Sequence, residues 1–298
     1  MNPAKLSFIA EISDGYSFRN LMSIIKSEID VTHLVATPKG LEISFLNKHK
    51  CNCHQVFIRG SELSSYIYNF RDENGELLPF APMAFETNRM MTNTKTIGRK
   101  DAIIIYKNQN ENKICINPVK TDSKSASQSC ALFVDILNDE YSPVTVSPKY
   151  TEVNVKVPAK EFSSFCSQTN TSKCSYLKIY GCEDYVKLEG ILPNKATALK
   201  NTFYAKNTLA STSSDHKVND LNSVMSKIDA NNSTDEDNDK VKFVHVDISS
   251  VKAFSKIHNV SPQHTQLKFY FCDSNVIKVD SPIGMYGQYL IFMRSSKA

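Results

Sequence analysis

The run Cys51-Asn52-Cys53-His54 is the densest group of metal-binding side chains in the sequence. A tetrahedral zinc site needs four such ligands, and finger-type sites bring them as two pairs at a set spacing. No second pair follows, and in an extended segment successive side chains point to opposite faces. The run therefore reads as an ordinary edge strand, with no metal expected. Asp235-Glu236-Asp237-Asn238-Asp239 resembles half of a calcium loop but lacks the central glycine and the closing glutamate, so it reads as a solvated acidic loop. The seven histidines are scattered, and none sits beside a serine or cysteine as a nucleophile–base pair. Phosphate-loop, dinucleotide-binding, zinc-protease and nucleophile-elbow motifs are all missing, and nine glycines in 298 residues leave little for phosphate-cradling loops. The expectation is a chain without enzymatic activity and without a cofactor.

More informative is what lies opposite the apolar stripes of the helices. One helix begins after Asp14-Gly15, with Phe18, Leu21, Met22 and Ile25 at helical spacing. Its other side carries Arg19, Asn20, Ser23 and Lys26. A second, over about 86–97 and stopped by Gly98, sets Asn88, Arg89, Thr92 and Lys95 against Met90, Met91, Thr94 and Ile97, with Arg99 and Lys100 just beyond. A third buries Phe162, Phe165 and Cys166 and offers Lys160, Ser163, Ser164 and, after it, Lys173. A fourth, near 249–258, buries Val251, Phe254 and Ile257 and offers Lys252, Ser255 and Lys256. The only acids read on these faces are Glu28 and Glu161, near helix ends. One such helix is an ordinary solvated surface. Four sharing a surface would make a basic track for phosphates, whose contacts are blind to sequence and weakened by salt. Stacking aromatics are missing from these faces, so duplex backbone is the expected ligand rather than single strands.

Charge is distributed to match. Residues 211–239 hold seven acids against Lys217 and Lys227, a balance of −5. With +4 on the whole chain, the rest carries +9. Eight cysteines sit mostly in apolar runs, where reduced cysteine behaves as a small core residue, and Cys174 and Cys182 read as core. That points to a reducing compartment. No stretch approaches the ~20 apolar residues of a membrane span, and no secretory signal is read at the N-terminus.

The elements that must position these helices come as one unit given twice. Lys5–Ile12 alternates, with Leu6, Phe8, Ala10 and Ile12 on one face. After the first helix, strands are predicted near 31–37, 40–46 and 54–59. After the second they are predicted at Ala102–Tyr106, Lys113–Asn117 and Cys130–Leu137. The pattern restarts at Val153, Val155 and Val157, with strands near 175–180, 184–191 and 198–204, then Gln266–Phe271, Val276–Asp280 and Gln288–Met293. Each half thus reads as strand, helix, three strands, helix, three strands. An α+β fold of two similar domains follows, 1–137 and 150–298. A proline-marked linker at 138–149 joins them, and a polar, acidic excursion at 207–240 interrupts the second.

This order is similar to that of the proliferating cell nuclear antigen family of DNA sliding clamps and its viral relatives. The closest local match is C-terminal: Val244–Ile248, Val251–Lys256, Val260-Ser261-Pro262 and Gly284–Phe292. Val153–Cys166 and Gly40–Leu46 agree as well. The resemblance implies helices lining a ring, sheets outside, and three subunits closing it. It implies pore-facing cations at Arg19, Lys26, Arg89, Lys95, Lys160, Lys252 and Lys256, and an interdomain connector at Asn138–Lys149. Partners such as a DNA polymerase or repair proteins would dock a short hydrophobic peptide in a pocket of Leu46, Val144, Val146, Pro262 and Phe292. Phe292 shares a strand face with Leu290, opposite Tyr289, Ile291 and Met293, and is expected either to face solvent as an anchor of that pocket or to be covered by the connector, with Val144 and Val146 packed on it. Ring closure would pair an edge strand near Cys130–Leu137 with one near Asp184–Ile191 of a neighbour. The excursion at 207–240, sparser lysines and an end at Arg294–Ala298 without a proline tail mark a divergent member, cellular or viral. Its expected setting is the nucleus, or a cytoplasmic viral replication site. Two alternatives stand beside the ring: a monomeric or dimeric processivity or late transcription factor on the same fold, and an interaction scaffold without DNA contact.

Overall fold

The computed structural model describes residues 5–120, 131–144, 146, 151–181, 185–205, 242–261, 264–272 and 276–295, without the side chains of 151–154, 242 and 252. The excursion at 207–240, Cys130, Cys182 and Pro262 lie outside the described residues.

The first half runs β1 (Leu6–Ile12), α1 (Gly15–Glu28), β2 (Val31–Thr37), β3 (Gly40–Leu46), β4 (Asn52–Arg59), β5 (Ser65–Tyr68), β6 (Ala81–Glu86), α2 (Thr87–Thr94), β7 (Ala102–Asn108), β8 (Lys113–Val119) and β9 (Leu132–Asp135). The second runs β10 (Thr151–Pro158), α3 (Ala159–Thr171), β11 (Tyr176–Gly181), β12 (Tyr185–Ile191), β13 (Thr197–Tyr204), β14 (Lys242–Asp247), α4 (Ile248–Phe254), β15 (Gln266–Cys272), β16 (Val276–Ile283) and β17 (Gly287–Arg294). The order of the halves matches, but more than three strands separate the helices of each. The additions are the short β5, the proline-bearing β6, and β14. Pro82 is tolerated because β6 is an edge strand, where a missing N–H costs no ladder bond.

Local chemistry explains the helix limits. Asp14 caps α1 by accepting from the backbone N–H of Ser17 at 3.0 Å, and Phe18, Leu21, Met22 and Ile25 are all buried. Asp247 caps α4 in the same way through Ser249. α2 ends three residues earlier than its apolar spacing predicts. The N–H groups of Lys95 and Ile97 bond three residues back, to Thr92 and Thr94, so the α ladder stops before Gly98. α4 also stops short, at Phe254, and a turn of 3₁₀ helix at Ile257–Asn259 follows.

Among the described residues three sheets form, with strand orders β5-β1-β7-β8-β9, β10-β15-β16-β17-β4-β3-β2-β6 and β13-β12-β11-β14. The eight-stranded sheet crosses from one half to the other at β17–β4, where Tyr289 faces Val56 and Phe292 faces Cys53. β4 is therefore an interior strand, not the edge strand expected for the Cys51–His54 run. Buried apolar side chains of both halves join in one continuous cluster. The helices lie side by side in the order α2, α1, α4, α3.

Candidate nucleic-acid interface and docking surface

Polar bonds hold the helix row together. Asn20 of α1 donates to the carbonyl of Asn259 at 2.8 Å, and Lys256 reaches Ser23 Oγ at 3.5 Å. Ser163 of α3 donates to the Phe254 carbonyl and accepts from the His258 N–H, each at 3.2 Å. Ser163 is thus buried in the α3–α4 contact and does not belong to the exposed face that helical spacing predicts for it. Arg19 is half-buried: Nη1 donates to the Ile97 carbonyl at 2.8 Å, tying α1 to the turn after α2. Its guanidinium and that of Arg99 lie 5.6 and 5.9 Å from the Tyr16 ring.

Lys26, Arg89, Lys95, Lys160 and Lys256 are exposed, as are Arg99 and Lys100. The backbone puts Lys252 on α4, and its side chain lies outside the described residues. Glu28 is not the exposed acid on this row that its charge suggests. It stands three residues beyond Ile25 and seven beyond Leu21, which returns it to the apolar stripe, and it is 5 % exposed. Removing that carboxylate from the surface leaves Glu161 and the acids at the helix starts as the negative groups along the row.

Glu28 enters a polar cluster at the seam between the halves that sequence reasoning missed. Its Oε2 lies 3.7 Å from Nε2 of His54, whose Nδ1 is 2.7 Å from the Tyr289 hydroxyl. His54 is stacked on Phe45 at 4.8 Å and is fully buried. Burial pushes Glu28 up to about 7, against the lowering pull of an Asn47 hydrogen bond and of Lys48. Burial likewise pushes His54 down to about 3. The two therefore meet as neutral groups in mildly acidic solution, not as an ion pair. Cys53 points to the other face of β4, and burial raises its thiol to about 11, the wrong direction for a thiolate ligand. Among the described residues no three metal-ligating side chains converge.

On the outer face of the large sheet, one cross-strand row runs Leu46, Cys53, Phe292, Lys278, Tyr270. Leu46 is 41 % exposed, but Phe292 is only 7 % exposed. Alternation puts Phe292 on the expected face, with Tyr289, Ile291 and Met293 in the core, yet it is buried rather than open to solvent. The connector crosses this face: Gln55, the register partner of Leu290, donates to the Val144 carbonyl at 3.1 Å. Tyr141 packs against His33 and Phe80, with ring centroids 5.2 and 6.0 Å apart. Val144 and Val146 are half-buried.

The sheet edges correct a second expectation. β12 pairs with β11 on one side and β13 on the other, so Tyr185–Ile191 offers no free edge for the pairing expected near Asp184–Ile191. The edges of that sheet are β13 and β14, and the His245 N–H of β14 already donates to Ser295 Oγ at 3.2 Å. β9 is an edge of the five-stranded sheet, with Phe133 46 % exposed.

No protein-family model matches the sequence, and no curated protein does. Solved structures do. The proliferating cell nuclear antigen of Entamoeba histolytica superposes with a TM-score of 0.71 over 98 % of this chain and 100 % of its own, at 9 % identity. The PCNA2–PCNA3 complex of Sulfolobus tokodaii gives 0.67 over 96 % and 98 %, at 10 % identity. The chain has the sliding-clamp fold. At this divergence the fold is preserved as an order of elements and an alternation of buried faces, while nine residues in ten differ from the first of these structures.

Proposed function

We propose that this chain is a DNA sliding clamp: a processivity factor that encircles duplex DNA and carries replication and repair proteins, a DNA polymerase among them. The observation that carries the reading is the row α2-α1-α4-α3, with its apolar stripes in one core and exposed Lys26, Arg89, Lys95, Lys160 and Lys256 away from it. Such a surface suits phosphates without reading bases. A clamp fold, as a non-enzymatic scaffold, fits a chain without catalytic motifs.

Ring closure is proposed through β9 of one subunit and β13 of the next, which replaces the pairing with β12. Both are edges, and joining them would continue the sheet and hide two unpaired strands. Partner peptides are proposed to dock beside Leu46 and the connector, with Phe292 as a buried wall rather than an anchor. The four-residue β9 favours a second reading, a weakly associating or monomeric factor on the same fold. Light scattering separates the two. A species at three times 33.5 kDa supports the ring, and a concentration-independent 33.5 kDa species overturns it.

A further inference from the structure

The four-stranded sheet has a face the clamp reading does not use. Its inner side is apolar: Leu177, Ile179, Val186, Leu188, Val244 and Val246 are buried. Gly181 packs so closely on β15 that a Cβ there would collide with the ring of Phe271. The other side therefore faces away from the core, and strand register places its residues in rows. One row reads Thr202, Lys187, Tyr180, Phe243 and the next Lys200, Glu189, Lys178, His245. Tyr204 pairs with Tyr185 on one flank, and Tyr176 lies against His245 with centroids 4.9 Å apart on the other. Aromatic side chains thus come from all four strands.

Cations are set among the rings. Lys178 Nζ lies 4.6 Å from the Tyr180 centroid and 4.5 Å from that of Phe243, and Lys187 lies 5.0 Å from Tyr180. Glu189 is largely buried beneath them, accepting from Lys187 at 2.7 Å and Tyr180 at 2.8 Å. Against its one negative charge stand three lysines, 178, 187 and 200, a net +2 on these two rows. Phe243, at the β14 end of its row, keeps 43 % of its surface open to solvent.

We infer that this face binds single-stranded DNA. The two charged surfaces of the molecule differ in composition, and that difference decides the ligand. The helix row offers lysine and arginine with a single tyrosine ring, Tyr16. That suits a duplex, whose bases are hidden in the stack. The sheet face offers six aromatic side chains interleaved with lysines, which suits unstacked bases alternating with phosphates. A four-stranded sheet displaying rings is also a platform on which single-stranded nucleic acid binds in other proteins. The choice of DNA over RNA rests on the clamp reading, which places the chain on DNA. Edge pairing through β13 would use backbone groups at the sheet's rim and leave this face open.

The test is fluorescence anisotropy of labelled oligothymidylate with the full chain, beside a duplex of equal length and oligouridylate. Wild type is expected to bind oligothymidylate with an affinity that falls as salt rises. Phe243→Ala should weaken it about tenfold, the scale of removing one base stack, and Phe243→Tyr should restore it. Lys178→Gln should flatten its salt dependence. Duplex binding should be unchanged in all three variants, which separates this site from the helix row. Undetectable binding by wild type, or equal binding by Phe243→Ala, overturns the site. Tighter binding of oligouridylate than of oligothymidylate overturns the assignment to DNA. Loss of duplex binding in wild type overturns the clamp reading while leaving the Phe243 comparison intact.

Discussion

The buried Glu28–His54 contact makes the stability of this chain depend on pH in a way that one atom change can expose. Glu28 titrates near 4.5 when unfolded and is pushed up to about 7 in the fold, so between those values the folded state holds a proton the unfolded state has released. Stability from this group is complete below pH 4.5 and declines as pH rises to about 7. At ~1.36 kcal/mol per pH unit, a rise of about 2.5 units amounts to ~3 kcal/mol, and the near-complete burial of Glu28 leaves little solvent screening to reduce it. His54 works in the opposite sense. Held down to about 3 from 6.5, it contributes fully above pH 6.5 and loses its contribution as pH falls toward 3. From 4.5 to 6.5 the two slopes cancel, so the wild-type profile alone hides both. Glu28→Gln keeps the shape and removes the titration. Urea unfolding of both proteins at one protein concentration, from pH 4.5 to 8, gives the difference. The variant should match wild type or fall slightly below it at pH 4.5 and gain ~3 kcal/mol on it by pH 7.5. A difference that does not change with pH would refute the burial argument, because an ionised Glu28 would then cost nothing in the fold.

Four further outcomes are expected. Lys95→Ala/Lys160→Ala should weaken binding to all duplex sequences alike and flatten the slope of log affinity against log salt by about 0.9 for each phosphate no longer neutralised, measured by anisotropy at several salt concentrations. Phe292→Ala should lower the thermal midpoint, since truncating a buried phenylalanine costs ~3–5 kcal/mol. Leu46→Ala, at an exposed position, should leave the midpoint unchanged and weaken a hydrophobic docking peptide, read by calorimetry. Phe133→Asp on the β9 edge should reduce the mass in solution to 33.5 kDa with an unchanged circular dichroism spectrum, as an aspartate cannot be buried against a neighbouring strand at low cost.

The fold was legible where local periodicity and burial coincide. Leu6, Phe8, Ala10 and Ile12 alternate and are buried, and Phe18, Leu21, Met22 and Ile25 keep helical spacing and are buried. β5 was missed because four residues cannot establish a period, and β6 because Ala81-Pro82 reads as a breaker. Strand neighbours were the larger loss. Nothing within Tyr185–Ile191 says whether one partner or two will pair with it, because ladder bonds use backbone groups common to every residue. β4 was misplaced at an edge for the same reason, although β17 and β3 flank it. Glu28 was legible in principle, since its position continues the stripe of Leu21 and Ile25, but its charge argued for the surface. Phe292 was assigned the correct face. Its burial depends on what crosses that face from elsewhere in the chain.

The most direct test of encirclement is residence on DNA whose ends are open or closed. The protein is allowed onto linear duplex at low salt, the ends of half the molecules are capped with a bulky adduct, and salt is then raised. A ring held by topology stays on the capped DNA and slides off the open DNA. Equal loss from both would mean that the chain is held by phosphate contacts alone and does not encircle the duplex.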